Sequence, residues 1–563
     1  MKTVPTATRP NPSSSRWAAA VALVCSAALA GCGLAAPPSS PSGEGSSTTT
    51  PAAESTTPPP PPATSWGPLE AEVDDAAAAV AEMTTAQKAG QILVQYYTGA
   101  DPAAAQATAA ELDLGGVIIM GDNVPQAADG TDDTEALASI VDGFRTTMEA
   151  ERGWPAIVSV DQEGGRVARL QAPLTEWSTP MAFGAAGDPE LTGRAQQALA
   201  GDLAELGFTM NFSPDADVTL GPQDPVIGAR SYSSDPGAVA EHALAAVDGS
   251  LAAGVLPSLK HFPGHGSVTT DSHVGLPVQP ATREELAGRD WIPFAAGAGS
   301  AEEPGAPMVM VGHIAVTELE AGVPSSLSAA SYEALREDVG FDGVAVTDAL
   351  NMGALHQTAG NPAVNALAAG ADLLLMPSDV RAAHAAIVAA VDQGSIPAER
   401  LDEAATRVVA MMMWQQRLAE EAAAGQESEP STDVALEAAR AAVTQVSGTC
   451  GADLVGESIR IIGGNATDRA RLTAAAQEAG LAVGSGPVVT LLGTDVPPAS
   501  GDVVVTLDAP WPLAGSAANE ALIALYGRNA ESFTALVEVL TGEREAPGKL
   551  PVDVGEYASG SGC

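Results

Sequence analysis

Between Gln91 and Met376 the chain repeats one pattern eight times: a run of four to six mostly apolar residues, then a longer stretch, often rich in Ala, Glu and Leu. The runs are Gln91–Tyr96, Gly116–Met120, Ala156–Val160, Phe208–Phe212, Leu256–Lys260, Met308–Gly312, Val344–Thr347 and Leu373–Met376. Short runs of this kind suit strands buried on both faces, and the stretches between most of them are long enough for a helix. Strands alternating with helices imply a parallel α/β architecture, and eight such units imply a closed (β/α)8 TIM barrel over residues 69–425. The strand count alone leaves an open, doubly wound sheet as the rival.

The polar residues separate the two. Asp161 follows the third run, Asp217 the fourth, Lys260 and His261 the fifth, His313 the sixth and Asp348 the seventh. In a barrel all these strand ends meet at one rim, where such folds build their active sites. Helix caps and turns account for single aspartates. They do not account for lysine, arginine and histidine at the same rim.

From Val434 the pattern restarts with Ile459–Ile462, Val488–Leu492 and Val503–Leu507, separated by helical stretches such as Ala470–Ala479. A smaller three-layer α/β sandwich over 433–563 is expected, reached through the helical stretch Ala404–Gly425 and the linker Gln426–Thr432.

The first 31 residues read as an export signal: Lys2, Arg9 and Arg16 precede the apolar run Trp17–Ala30, which is short for a bilayer span. Leu29-Ala30-Gly31-Cys32 resembles the lipobox of bacterial lipoproteins, which makes Cys32 the expected lipidation site and a membrane surface the expected location. Residues 32–68, dominated by Ser, Thr, Pro and Gly, are expected to form a disordered tether. Of the four cysteines, Cys25 would leave with the signal and Cys32 would carry lipid, leaving Cys450 and Cys563 free to pair in an oxidising compartment. A formal charge of −45 argues against nucleic acid as a partner, because such partners select basic surfaces.

The densest chemical stretch is KHFPGHGSVTTDSH, Lys260 to His273, which holds three histidines, a lysine and an aspartate. Its histidines admit a metal-hydrolase reading through His261, His265, Asp271 and His273. Pro263 and Gly264 interrupt the helical spacing such a site would need, and no zinc signature matches. Together with DQEGGRVARL, GARSY (Gly228–Tyr232), GVAVTDAL and the late APGKLPVDV, the stretch resembles glycoside hydrolase family 3, in its bacterial β-N-acetylhexosaminidase branch.

That resemblance implies a retaining exo-β-N-acetylglucosaminidase acting on peptidoglycan-derived saccharides that contain GlcNAc, without cofactor or metal and as a monomer. It implies Asp348 as nucleophile and His273, oriented by Asp271, as acid/base. Asp161, Arg169, Arg230, Lys260 and His261 would bind the sugar, with Asp161 accepting and the cationic residues and His261 donating hydrogen bonds. The small, polar loop between Gly264 and Asp271 would act as a flap over the glycosidic oxygen, with His265 helping to shape it. Two further readings stay open: a phosphorylase on the same scaffold, since a histidine does not repel incoming phosphate as a carboxylate would, and a non-catalytic glycan-binding envelope lipoprotein. The second domain is expected to be structural or to flank the substrate, with Glu520 and Glu531 as the acids to test otherwise.

Overall fold

The structure, a computed structural model, describes residues 61–425 and 429–563. The expected signal peptide, Cys32, the tether up to residue 60 and residues 426–428 of the linker lie outside the described residues. Among the described residues, no helix is long and apolar enough to cross a membrane.

Eight parallel strands form the first core: β1 Leu93–Gln95, β2 Gly116–Ile118, β3 Ile157–Val160, β4 Met210–Asn211, β5 Leu259–Phe262, β6 Met308–Val311, β7 Val344–Thr347 and β8 Leu374–Leu375. Ladders run β8-β1-β2-β3-β4 and β5-β6-β7. Parallel bridges between Met210 and Leu256 and between Val346 and Leu373 close the ring. The interior residues of β3, β6 and β7 are all buried, as strands covered on both faces must be. The outer helices start at side-chain caps: Asp133, Asp188, Asp235 and Asp379 each accept an N–H three residues on, two of them with proline at the first helical position.

Two strand boundaries differ from the sequence reading. Gln91 ends the helix Thr85–Gln91, which Thr84 and Gln87 initiate as a capping box, so β1 begins only at Leu93. The fifth strand starts at Leu259 and not at Leu256, because Pro257 has no N–H to give the ladder and Leu256 is left with an isolated bridge. Lys260 and His261 therefore lie inside β5 and not beyond its end. The ladder shifts register between Lys260 and Phe262, a local irregularity that lets two consecutive side chains serve the same face.

The expected tether is also shorter at its end. Trp66 is 5% exposed, and Gly67 lies so close to Trp414 that an added Cβ would sit 2.0 Å from its ring. One tryptophan supplies enough apolar surface to dock residues 61–68 on the helix Ala398–Ala424, an effect that averaging over a polar segment hides.

The second core is a five-stranded sheet made of β9 Thr444–Ser447, β10 Ser458–Gly463, β11 Ala482–Leu492, β12 Ser500–Thr506 and β13 Ala517–Ala524, in the order β9-β13-β12-β11-β10. Only β9 runs antiparallel. Side chains alternate between its faces. Val503, Val505, Ile523 and Leu491 join the core with Phe533 and Leu472 of the helices Ala530–Leu540 and Ala466–Glu478. Val504, Leu522 and Leu492 point the other way, into a cluster with Met181, Ala182 and Ala185 of the barrel-side helix Pro180–Ala186. Hydrogen bonds from Thr179 N–H to the Tyr526 carbonyl (2.9 Å) and from Ser233 Oγ to the Pro551 carbonyl (2.7 Å) fix this seam. The helix Ser431–Ala442 already begins inside the expected linker. Cys450 and Cys563 form a disulfide with a Cα separation of 5.8 Å, tying the last residue back to the end of β9.

Candidate active site

At the C-terminal rim of the barrel a cavity of about 540 Å³ is lined by all eight residues singled out in the sequence as catalytic or sugar-binding: Asp161, Arg169, Arg230, Lys260, His261, Asp271, His273 and Asp348. Every lining residue comes from the barrel. Glu520 is exposed on β13 and Glu531 opens the helix Ala530–Leu540, and neither reaches the cavity. A larger cavity of about 920 Å³ opens at the opposite end, before the starts of β3, β4 and β5. Among the described residues no histidine lines it, and its Glu149 is already taken by Arg145 and the Ala156 N–H.

Asp348 follows β7 directly, and its own N–H donates to the Val311 carbonyl at 2.9 Å. Its Oδ1 accepts the N–H of Ala349 at 2.7 Å. Burial alone would lift this carboxyl, but His313, His261, the Ala349 N–H and His265 outweigh it and hold it at about 2. The imidazoles act as cations only in acid, where Asp348 titrates, so at neutral pH the site presents an ionised carboxylate among neutral rings. His313 is fully buried and donates from Nε2 to the Ala349 carbonyl at 2.9 Å, with Nδ1 left to accept from Ser326 Oγ at 2.7 Å. It therefore fixes the main chain beside Asp348.

Across the cavity, Asp271 and His273 form a local pair in the loop after β5. The Asp271 carboxylate accepts both the His273 N–H (2.8 Å) and the Nδ1 side of its ring (2.9 Å), which leaves Nε2 free to face the cavity. Burial raises the Asp271 carboxyl, but these two bonds together with the charge of the His273 and His265 rings outweigh it and keep the group below the usual carboxylate range. The His273 side chain is 66% exposed, in contrast to the rings of His261 and His265, which are buried. His265 donates or accepts at Ser272 Oγ over 3.0 Å and so holds the residue between Asp271 and His273.

The floor of the cavity is an ion network centred on a residue the sequence reading passed over. Glu163, buried, takes a bidentate bond from Arg230 (2.8 Å at both oxygens) and a third contact from Lys260 Nζ at 2.6 Å. Burial would raise its carboxyl, but the two cations hold it far down. Lys260 also approaches Asp161 at 3.4 Å, and Asp161 is paired with Arg169 at 3.1 Å. Glu163 lies two residues after Asp161 in the quoted DQEGGRVARL motif. The signal that finds it is the excess of rim cations, two arginines and a lysine, over the single aspartate assigned to them.

The closed barrel brings a buried ionised carboxylate and an exposed aspartate–histidine pair to one rim cavity, over a floor of fixed hydrogen-bonding groups, an arrangement able to supply a nucleophile and an acid/base. Residues 84–411 match the family model described as "Glycosyl hydrolase family 3 N terminal domain", and the chain belongs to glycosyl hydrolase family 3. It is 35% identical over 343 residues to beta-hexosaminidase A of Pseudoalteromonas piscicida, a match covering 54% of this chain and 56% of that protein. It is 37% identical over 327 residues to beta-hexosaminidase LpqI of Mycobacterium tuberculosis, covering 55% and 79%. The fold, barrel and sandwich together, is similar to a glycoside hydrolase family 3 beta-N-acetylglucosaminidase from Paenibacillus sp., with a TM-score of 0.73 and 27% identity, over 84% of this chain and 99% of that one.

Proposed function

We propose that the chain is a retaining exo-β-N-acetylglucosaminidase that removes terminal β-linked GlcNAc from peptidoglycan fragments. The observation that carries this reading is the placement of Asp348 and of the Asp271–His273 pair on one cavity of about 540 Å³, a volume suited to a small ligand. The beta-hexosaminidase and beta-N-acetylglucosaminidase relatives support the sugar class.

In the first step an oxygen of Asp348 attacks the anomeric carbon as the bond to the leaving oxygen breaks, and His273 gives its proton to that oxygen. In the second, His273 takes a proton from water, whose oxygen displaces Asp348 and releases the sugar with its original β configuration. Asp271 holds the ring by Nδ1 so that Nε2 carries the transferred proton. Arg169, Arg230 and Lys260, held by Asp161 and Glu163, keep their remaining donors directed at sugar oxygens without reorganisation during the reaction.

The same reading places the enzyme outside the cell membrane as a monomer, anchored by lipid on Cys32. The Cys450–Cys563 disulfide supports an oxidising compartment. Hydrolysis of a chromogenic β-N-acetylglucosaminide beside the matching β-glucoside, with and without phosphate, tests the function. Preference for the acetamido sugar and release of free sugar in both buffers are expected. Preference for the glucoside, or sugar 1-phosphate as the product, would overturn it.

A further inference from the structure

Asp217, in the loop after β4, is fully buried and lies beneath the cavity wall without lining it. Its Oδ2 accepts the main-chain N–H of His261 at 3.2 Å and lies 2.7 Å from Nδ1 of the same ring. Its Oδ1 accepts the main-chain N–H of His265 at 2.5 Å. Main-chain amides only donate, so both carboxylate oxygens are committed as acceptors. An accepting oxygen at hydrogen-bond distance makes Nδ1 the donor, and in a neutral imidazole Nε2 then carries the lone pair.

The surroundings keep that ring neutral. Burial, then Arg230, pushes His261 down to about 4, against the smaller pull of Asp215 and Asp348, with Lys260 adding to the push. The ring of His265 meets it edge-on. Ligand-type atoms of Asp215, Asp217 and His261 lie within 4.8 Å of one another; three N–H donors already occupy Asp217, and Arg230 stands 3.5 Å from Asp215. Hydrogen bonds from the chain itself hold Asp217 against His261 and His265.

We infer that Asp217 is a positioning residue that fixes His261 as the Nδ1–H tautomer, so that Nε2 accepts a hydrogen bond from a sugar hydroxyl, and that its other oxygen anchors the root of the loop carrying Asp271 and His273. The inference rests on the proposed sugar-binding role of His261 and reverses the donor role that the family resemblance gave it. It also explains why Lys260 is adjacent. Nζ has three protons, two of which are directed at Glu163 and Asp161, and the third is left for the ligand. A hydroxyl that accepts from Lys260 and donates to His261 is satisfied in both senses, whereas a sugar lacking it leaves two buried groups unpaired.

The test is ¹⁵N NMR of protein labelled at histidine, with the His261 signals assigned by their loss in His261→Gln. The wild type is expected to show a protonated Nδ1 and a bare Nε2. In Asp217→Leu Nδ1 loses its acceptor, so the proton should no longer be fixed there and Nε2 should become protonated in part, and kcat/KM on the chromogenic β-N-acetylglucosaminide should fall roughly 10- to 100-fold, mainly through KM. A protonated Nε2 in the wild type, or an Nδ1–H tautomer as fully populated in Asp217→Leu as in the wild type, would overturn the inference. The wild-type spectrum decides the matter even if the variant does not fold. Because the tautomer is read without substrate, a chain inactive on GlcNAc conjugates would sink the functional reading and leave this one standing.

Discussion

The main-chain N–H of Ala354 donates to the carbonyl of Ser272 at 3.1 Å, and this bond joins the loop that follows Asp348, the proposed nucleophile, to the loop of His273, the proposed acid/base. Ala354 lies six residues past Asp348, and Ser272 sits between Asp271 and His273. The contact is possible because Gly353 has no side chain: an added Cβ would stand 2.4 Å from the His273 carbonyl oxygen. Gly353→Ala should therefore push His273 away from the cavity. Displacements of this size cost about 10²-fold in well-positioned sites, and the loss should appear in kcat on disaccharides with the melting temperature little changed. Unchanged kcat would mean that the two loops are positioned independently.

Glu163 holds Arg230 and Lys260 at once, so Glu163→Gln leaves two buried cations short of a countercharge. Breaking buried pairs from one side typically costs about 3–5 kcal/mol. Denaturant unfolding of the variant should show a loss of that order together with raised KM. A variant as stable as the wild type would show that Asp161 and Asp215 compensate.

The acid limb of activity should not belong to the proposed nucleophile. Asp348 must be ionised to attack and, held at about 2, stays ionised through the ordinary assay range. Asp217 is different. Burial pushes it up to about 6 against its bonds to the His265 and His261 amides and the pull of His265 and Arg230. As pH falls through that value it takes a proton and loses its hold on His261. A kcat/KM profile should fall on the acid side near pH 6, and the limb should be missing from the residual activity of Asp217→Asn. A limb near pH 2 in the wild type would return it to Asp348.

The disulfide closes a loop with a sequence separation of 113 residues. On the chain-entropy model a loop of this length is worth about 4–5 kcal/mol. Cys450→Ser should lower the unfolding midpoint of the sandwich while leaving kcat intact, since no sandwich residue lines the cavity. A loss of kcat at full stability would tie the second domain to catalysis.

The barrel was legible in the sequence because its strands are buried on both faces and read as unbroken apolar runs. The errors fall where one residue overrides a local average. Pro257 delayed the fifth strand, and Trp66 docked a segment whose composition otherwise reads as a tether. Strand β13 went unread because its sequence, AANEALIA, is half-exposed and rich in alanine, a weak strand former. The residues that line the cavity were singled out through motifs, which mark groups that are close in the chain. Glu163 and Asp217 escaped assignment for the opposite reason: their partners Arg230, Lys260 and His261 lie 44 to 97 residues away, in later βα units, and only the barrel brings them together.

The most direct measurement compares His273→Ala with the wild type on substrates of graded leaving-group ability. His273 should be the proton donor to the leaving oxygen, so the variant should lose about 10² to 10⁴-fold on GlcNAc disaccharides, which need that proton. It should lose far less on aryl glycosides whose phenolate departs unaided, with Asp271→Ala showing the same contrast more weakly. Equal losses on good and poor leaving groups would mean that His273 only shapes its loop and that another group supplies the proton.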